Sequence, residues 1–403
     1  MGSERMQPQK VLMLTQYLHI GGLERMVLNL SIALKAQGRW ESQVFVLDEL
    51  FGAARENDLR PAFNEAGISV TSFQKPPGFS FRALREIRRK MSADGIRVLH
   101  THDLGPLTYG VCIKLMSFGR VRLIHTQHSF FDLSRRWKNK HYLRLFALFA
   151  DEIAAVSPDT KRSYMALGVA ERRIHVIPNG VSFPERGAVS AADKKRNRSE
   201  LRGQLDLSAQ AALKPFLECR WLLYMARVHR TKGQDHALEL WKNLSPLARS
   251  KTVLLFVGPE SDEGRLRELQ SDVRKSPDST RILYMGATNC PQLWLASTDL
   301  ALSCSEYEGM PLGPIEAAGS GVPLVLSRIP GHEAMKDSSS QYPLEDPAAG
   351  ARAVEHVLKQ IEDGPDDYFQ RTWEKGLDIR SRYTVAHMRS AYSRLYLSED
   401  QRA

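Results

Sequence analysis

The feature that most constrains this chain is a rhythm: short apolar runs of strand length alternate with amphipathic runs of helix length. That alternation signals a parallel sheet covered by helices, because each buried strand must be followed by a crossover helix. The runs 11–15, 43–47, 69–73, 98–100, 122–125, 152–156 and 175–177 predict one doubly wound α/β domain. A second set, 222–225, 253–257, 282–284, 300–303 and 324–326, predicts another of the same kind, with helices at 234–244, 264–275 and 312–320. At 403 residues the chain exceeds what one core usually organises, which agrees with two domains. The stretch 183–202, with Pro184, Gly187 and the basic run Lys194, Lys195, Arg196 and Arg198, reads as a connector. The expected division is therefore a domain at 1–182, a linker at 183–202 and a domain at 203–380. The remaining helical tail, 381–403, has no strand of its own to cover, so it is expected to cross back to the first domain.

Composition removes several classes. No stretch approaches the ~20 apolar residues of a spanning helix, and the polar start of the chain lacks a signal-peptide core. The four cysteines, Cys112, Cys219, Cys290 and Cys304, are too scattered for a zinc site or a disulfide framework. A cytoplasmic protein is expected. The net charge of +10 lies wholly in the first half: residues 1–180 carry 26 Lys/Arg against 16 Asp/Glu, residues 181–403 carry 30 of each. It clusters at Arg82, Arg85, Arg88, Arg89 and Lys90, and at Arg135, Arg136, Lys138, Lys140 and Arg144. Phe79, Phe81, Trp137, Tyr142 and Phe146 are interleaved with these cations. Such segments suit either solvated helix faces or a peripheral position on an anionic membrane. Nucleic acid is not the expected partner, because no recognition motif accompanies the charge.

The chemistry concentrates where strands lead into helices, the ligand side of a parallel sheet. After the run 300–303 stands Glu308-Gly309-Met310-Pro311-Leu312, with Glu316 inside the following helix. Pro311 favours a helix start, and Gly309 lets the backbone approach a ligand, so the first turn can face a diphosphate. Glu308 stands at the helix mouth, where it can accept from sugar hydroxyls. Glu316 lies roughly 7 Å further along the axis, a spacing that suits a ribose. After the run 222–225, Arg227 and Lys232 sit in a loop that enters a helix, where two cations can meet phosphates. Gly21-Gly22 follows the first strand, and His100-Thr101-His102-Asp103 and His125-Thr126-Gln127-His128 end the fourth and fifth. His102 and His125 suit a structural role as well as a functional one. No carboxylate completes a metal ligand set with them, so no metal or other cofactor is expected.

In this setting, Glu308 and Glu316 at Glu-x7-Glu spacing, between Gly309-Met310-Pro311 and Gly321-Val322-Pro323, resemble the donor signature of retaining glycosyltransferase family 4. Arg227-x4-Lys232-Gly233 resembles the cationic motif of that family, with Ala226 where glycine is usual. The 257–260 stretch, containing Gly258, resembles its glycine loop under the nucleotide, and Gly21-Gly22-Leu23-Glu24 its Gly-Gly-x-Glu loop. Pro178-Asn179-Gly180-Val181 resembles the stretch that ends its first domain, and 286–289 is a candidate wall for the base. The matches span about residues 11–330.

The resemblance implies a GT-B fold, two facing Rossmann-like doubly wound domains with the active cleft between them. It implies transfer of a sugar, with retention of configuration, from a UDP- or GDP-sugar to a glycan or lipid-linked acceptor. Arg227 and Lys232 would neutralise the leaving diphosphate. Glu308 would hold the donor sugar and Glu316 the ribose. His128 would reach an outer sugar hydroxyl, and Gly21, Gly22, Gly258, Gly309, Met310, Pro311 and Leu312 would line the donor. A nucleotide-sugar epimerase or phosphorylase of the same fold would need further acid/base carboxylates or an anchored cofactor. A catalytically silent, membrane-associated nucleotide-sugar-binding protein would not need Glu308, Glu316, Arg227 and Lys232 intact.

Overall fold

The computed structural model describes residues 8–48, 58–76, 78–128, 130, 137–183, 185, 187–276 and 278–397. Arg135 and Arg136 of the second basic cluster, Pro184 of the expected connector, and the two chain ends lie outside the described residues.

The chain forms two compact units, residues 1–181 with 383–403, and residues 182–382. The first unit holds seven parallel strands: β1 Gln9–Thr15, β2 Trp40–Asp48, β3 Ser69–Lys75, β4 Val98–His102, β5 Arg122–Gln127, β6 Glu152–Ala155 and β7 Ile174–Val176. Their order in the sheet is β3-β2-β1-β4-β5-β6-β7. Successive residues of a strand face opposite sides, so each strand feeds two cores. Leu12, Leu14, Phe45 and Leu47 pack beneath the helices Phe81–Ala93, Leu104–Met116 and Trp137–Ala147. Val11, Met13, Val44 and Val46 pack beneath Gly22–Gln37 and the last helix, Val385–Tyr396.

The second unit has six parallel strands: β8 Arg220–Met225, β9 Thr252–Val257, β10 Ile282–Tyr284, β11 Leu300–Ser303, β12 Leu324–Ser327 and β13 Ser340–Tyr342. Their order is β10-β9-β8-β11-β12-β13. β13 was not among the expected strands. Its Ser-Gln-Tyr sequence has no apolar run, and it pairs only at the edge of the sheet with β12.

The segment read as a connector is instead a built part of the second unit. Ala191–Gly203 is a helix with a Ser190–Asp193 capping box, and Lys194, Asn197, Arg198 and Leu201 are buried. Its polar side chains close the C-terminal end of the Pro291–Ser297 helix, whose last carbonyls have no partner within that helix. Lys194 Nζ donates to Thr298 O at 2.6 Å, Asn197 Nδ2 to Ala296 O at 3.1 Å and Arg198 Nε to Ser297 O at 2.9 Å. Arg198 also pairs with buried Asp299 and lies over the Trp221 ring at 4.8 Å. Lys194 and Arg198 of the basic run are thus helix caps, while Lys195 and Arg196 are exposed and pair with Glu218 and Asp193.

Candidate functional site

The strand order of the second sheet reverses between β8 and β11, and ligands of open α/β sheets bind at such a reversal. The two charged motifs leave those strands. The loop after β8 is stitched to the loop after β9, since Val228 N–H donates to Pro259 O at 2.8 Å and Ser261 N–H to Val228 O at 3.1 Å. Gly258 has φ +145°, and a Cβ there would stand 2.1 Å from the Ala226 carbonyl oxygen, so glycine is needed at this crossing. Ala226 itself has no positive φ, which is why its methyl group is accommodated.

Beyond the Arg230–Lys232 turn, Gly233 adopts φ +65° with its Cα against Cys304, where a Cβ would lie 2.0 Å from the carbonyl oxygen. This close approach draws the end of the β8 loop onto the loop after β11. Tyr224 ties the two together by donating to Lys232 O and accepting from Cys304 N–H at 2.8 Å. As a result Lys232 Nζ reaches both Glu308 oxygens at 2.7 Å, and Ser305 Oγ donates to Glu308 Oε1, also at 2.7 Å.

Glu308 is buried. Burial alone would raise its pKa. The charge and hydrogen bonds of Lys232, with smaller help from His332 and Ser305, outweigh that and hold the carboxyl below its usual value. The sequence reading placed Lys232 on phosphate. In the structure its ammonium is shared with Glu308, because Gly233 brings it there. His332 is also buried, and burial lowers its pKa. Its Nδ1–H donates to Ser327 O at 2.7 Å, and its Nε2 faces Ser303 Oγ at 3.3 Å.

The helix expected at Pro311 or Leu312 runs Leu312–Gly319, with Pro311 as its N-cap. Prolines at 311 and 314 carry no N–H, so the first turn offers the amides of Leu312 and Gly313. Met310 and Gly309 precede it, and Glu316 lies on this helix, partly exposed, as is Arg227 on the β8 loop.

In the first unit the order reverses between β1 and β4. Gly21 is the N-cap of Gly22–Gln37, the first helix after β1, with five residues between it and the strand end. The ends of β4 and β5 bring four histidines together. His100, His102 and His125 are fully buried, and His128 keeps some solvent contact. The His100 and His102 rings lie 4.1 Å apart, and His102 Nδ1 is 3.2 Å from His128 Nε2. His100 bonds Tyr396 OH at 2.9 Å and Thr126 Oγ1 at 2.8 Å, and Thr126 in turn meets Tyr392 OH at 3.1 Å. Burial first, and neighbouring histidines second, push His100 and His102 well below their usual value. Burial likewise takes His125 down to about 3, and, with His125 as neighbour, His128 to about 3.

Sequence reasoning assigned no role to Ser305 or Tyr224 and missed His332, Tyr392 and Tyr396. A lone serine, histidine or tyrosine has no spacing to mark it, and only the fold carries it to its place. Among the described residues no three His, Cys, Asp or Glu side chains are grouped to hold a metal ion. No described helix is long and apolar enough to cross a membrane.

Against known proteins, residues 20–183 match the family model described as Glycosyltransferase Family 4, and residues 219–360 match that of Glycosyl transferases group 1. The putative glycosyltransferase EpsF of Bacillus subtilis is 23% identical over 254 residues, 60% of this chain and 61% of the relative. The chain thus matches somewhat less than two thirds of that relative's length. Among solved structures, Anabaena HepE in complex with UDP and glucose aligns at a TM-score of 0.77 with 15% identity, over 96% of this chain and 98% of that one. HepE with UDP-glucose aligns at 0.76 with 16% identity, over 95% and 98%. The lipopolysaccharide outer core galactosyltransferase WaaB aligns at 0.63 with 17% identity, over 96% and 99%. At these identities the structures speak to the fold.

Proposed function

Because the chain belongs to the family 4 type of glycosyltransferase, with the GT-B fold, we propose that it moves a sugar from a nucleoside-diphosphate sugar to an acceptor hydroxyl, with retention of configuration. The observation that carries this reading is the Lys232–Glu308 pair at the β8/β11 reversal, beside the amino end of the Leu312–Gly319 helix. The solved relatives bound to UDP and UDP-glucose support a nucleotide-sugar as donor.

In this reading the diphosphate lies against Arg227, Lys232 and the amides of Leu312 and Gly313. Glu308 receives two hydrogen bonds from Lys232 and one from Ser305. A carboxylate offers about four lone-pair sites, so one on Oε2 is left for a sugar hydroxyl. Glu316 takes the ribose. In the first unit Gly21 and Gly22 admit substrate close to the backbone, and His128 meets an outer hydroxyl of the sugar. As the anomeric bond breaks, negative charge grows on the leaving phosphate, where fixed donors are worth a few kcal/mol each, about 3 by analogy with oxyanion sites. The acceptor hydroxyl attacks from the same face and passes its proton to the departing phosphate. No metal takes part.

The acceptor is a lipid-linked glycan at an anionic membrane surface. Arg82, Arg85, Arg88 and Arg89 are exposed on one helix of the first unit, Lys138, Lys140, Tyr142, Arg144 and Leu145 on another, and both pack on Leu104–Met116. Surface polysaccharide assembly is the setting this suits.

A thermal-shift panel of UDP, GDP and ADP and their glucose conjugates tests the donor half. One base is expected to raise Tm, because a ligand of the folded state stabilises it. Glu316→Ala should weaken that nucleotide about 10-fold or more, the loss of roughly 1.4 kcal/mol. Lys232→Ala should do the same, but it also leaves buried Glu308 without its counter-ion, so Glu316→Ala is the cleaner probe. Unchanged affinity and turnover in both variants would remove the proposal.

A further inference from the structure

Asp103 follows β4 with φ 65° and ψ 172°, a backbone conformation normally left to glycine and strained in any residue with a Cβ. Its own N–H donates to Thr126 O at 3.0 Å. Its Oδ1 accepts from the backbone N–H of His128 at 3.0 Å and from Gln127 Nε2 at 3.0 Å. The strained residue therefore ties the end of β4 to the segment that carries His128.

Its neighbour His102 acts on the ring of the same residue. His102 Nδ1 stands 3.2 Å from His128 Nε2, while His102 Nε2 is buried without a hydrogen-bond partner among the described residues. A partnerless buried N–H is the rarer and costlier arrangement, so the His102 proton belongs on Nδ1, donated to His128. Neutral His128 then accepts at Nε2 and carries its single proton on Nδ1. His100, packed 4.1 Å from the His102 ring and pinned by Tyr396 and Thr126, keeps that ring from turning.

We propose that His102 and Asp103 are positioning residues for His128: Asp103 fixes its backbone, and His102 fixes its tautomer, so that Nδ1–H is the donor offered to a sugar oxygen. The inference rests on the reading of His128 as a sugar contact and names what that contact requires. A hydroxyl oxygen that can accept is recognised; a donor deoxygenated there is not.

The test uses the full chain labelled with 15N-histidine. In the wild-type spectrum His128, assigned by its absence in His128→Gln, should be the Nδ1–H tautomer, and the Nε2–H tautomer would overturn the proposal. Turnover is read as nucleoside diphosphate released from the glucose conjugate of whichever nucleotide raises Tm in the panel above. His102→Leu should lower kcat 10- to 100-fold with KM changed less than about twofold. His102→Asn, which returns an N–H near the Nδ1 position, should recover to within about threefold of wild type. His102→Leu added to His128→Gln should slow it less than twofold further, as expected of residues acting as one unit. Asp103→Gly relieves the strain, so Tm should hold or rise while turnover falls 10-fold or more. If His128→Gln turns over normally, the reading of His128 falls and takes the proposal with it. If His128→Gln is impaired but His102→Leu and Asp103→Gly match wild type, the positioning role alone is wrong.

Discussion

Burying Glu308 is tolerable because Lys232, whose side chain is 19% exposed, pairs with it, and Lys232 is there because residue 233 has no side chain. Gly233, Tyr224 and Cys304 do the positioning; the motif spacing carries Gly233, but Tyr224 and Cys304 have no spacing to mark them. The charged residues themselves were legible because each stands one loop beyond a strand end. Ser305 and His332 were not, since their partners, Glu308, Ser303 and Ser327, are assigned by packing. In the first unit the same logic gives a pH prediction. His100, His102, His125 and His128 are held neutral, with pKa values below the ordinary 6.5. Below that value the unfolded chain takes up protons that the folded cluster refuses, so stability is lost as pH falls from 6.5 toward the folded-state values. Between pH 6.5 and 5.5 the loss is about 1 kcal/mol per histidine, about 4 kcal/mol for the four. Urea unfolding of the full chain at the two pH values measures it, and a midpoint that does not move would refute it.

Among the elements, strands with β-branched and leucine runs were readable, while β13 and the Ala191–Gly203 helix were not. β13 is too short and polar to show a period. The helix hides its role behind lysine and arginine, whose partners are carbonyls at the end of another helix. The Phe81–Ala93 helix was readable as basic and amphipathic: it buries Ala83, Leu84, Ile87 and Met91 and turns its arginines outward. Phe79 and Phe81 are 44% and 72% exposed beside them. Each cation near an anionic surface contributes about 1 kcal/mol, screened within a Debye length. Vesicles containing phosphatidylserine should therefore sediment the protein at low salt and release it at high salt. Reversing Arg85, Arg88 and Arg89 to glutamate should abolish sedimentation without changing Tm by more than a few degrees. Equal sedimentation with neutral vesicles would count against an electrostatic contact.

At the scale of the molecule, the two Rossmann-like sheets followed from the alternation of runs, and the return of the tail followed from a helix with nothing local to cover. The final helix seats Met388, Tyr392, Leu395 and Tyr396 in the core of the first unit. Val181 N–H donates to Tyr383 O at 2.8 Å where the chain passes back. A chain stopped after Arg382 should consequently lose the first unit while keeping the second. Limited proteolysis should then leave a resistant fragment near 182–382, and equal resistance of residues 8–181 would contradict this. Tyr396→Ala alone should cost about 3–5 kcal/mol, as for other large buried aromatics. This threading also has a consequence for synthesis. The first unit is encoded on both sides of the second, so on the ribosome its earliest strands wait, with one face of their sheet covered only in part by Gly22–Gln37, until the second unit has emerged and the last helix follows it out. The order in which the units mature is therefore the reverse of the order in which they begin.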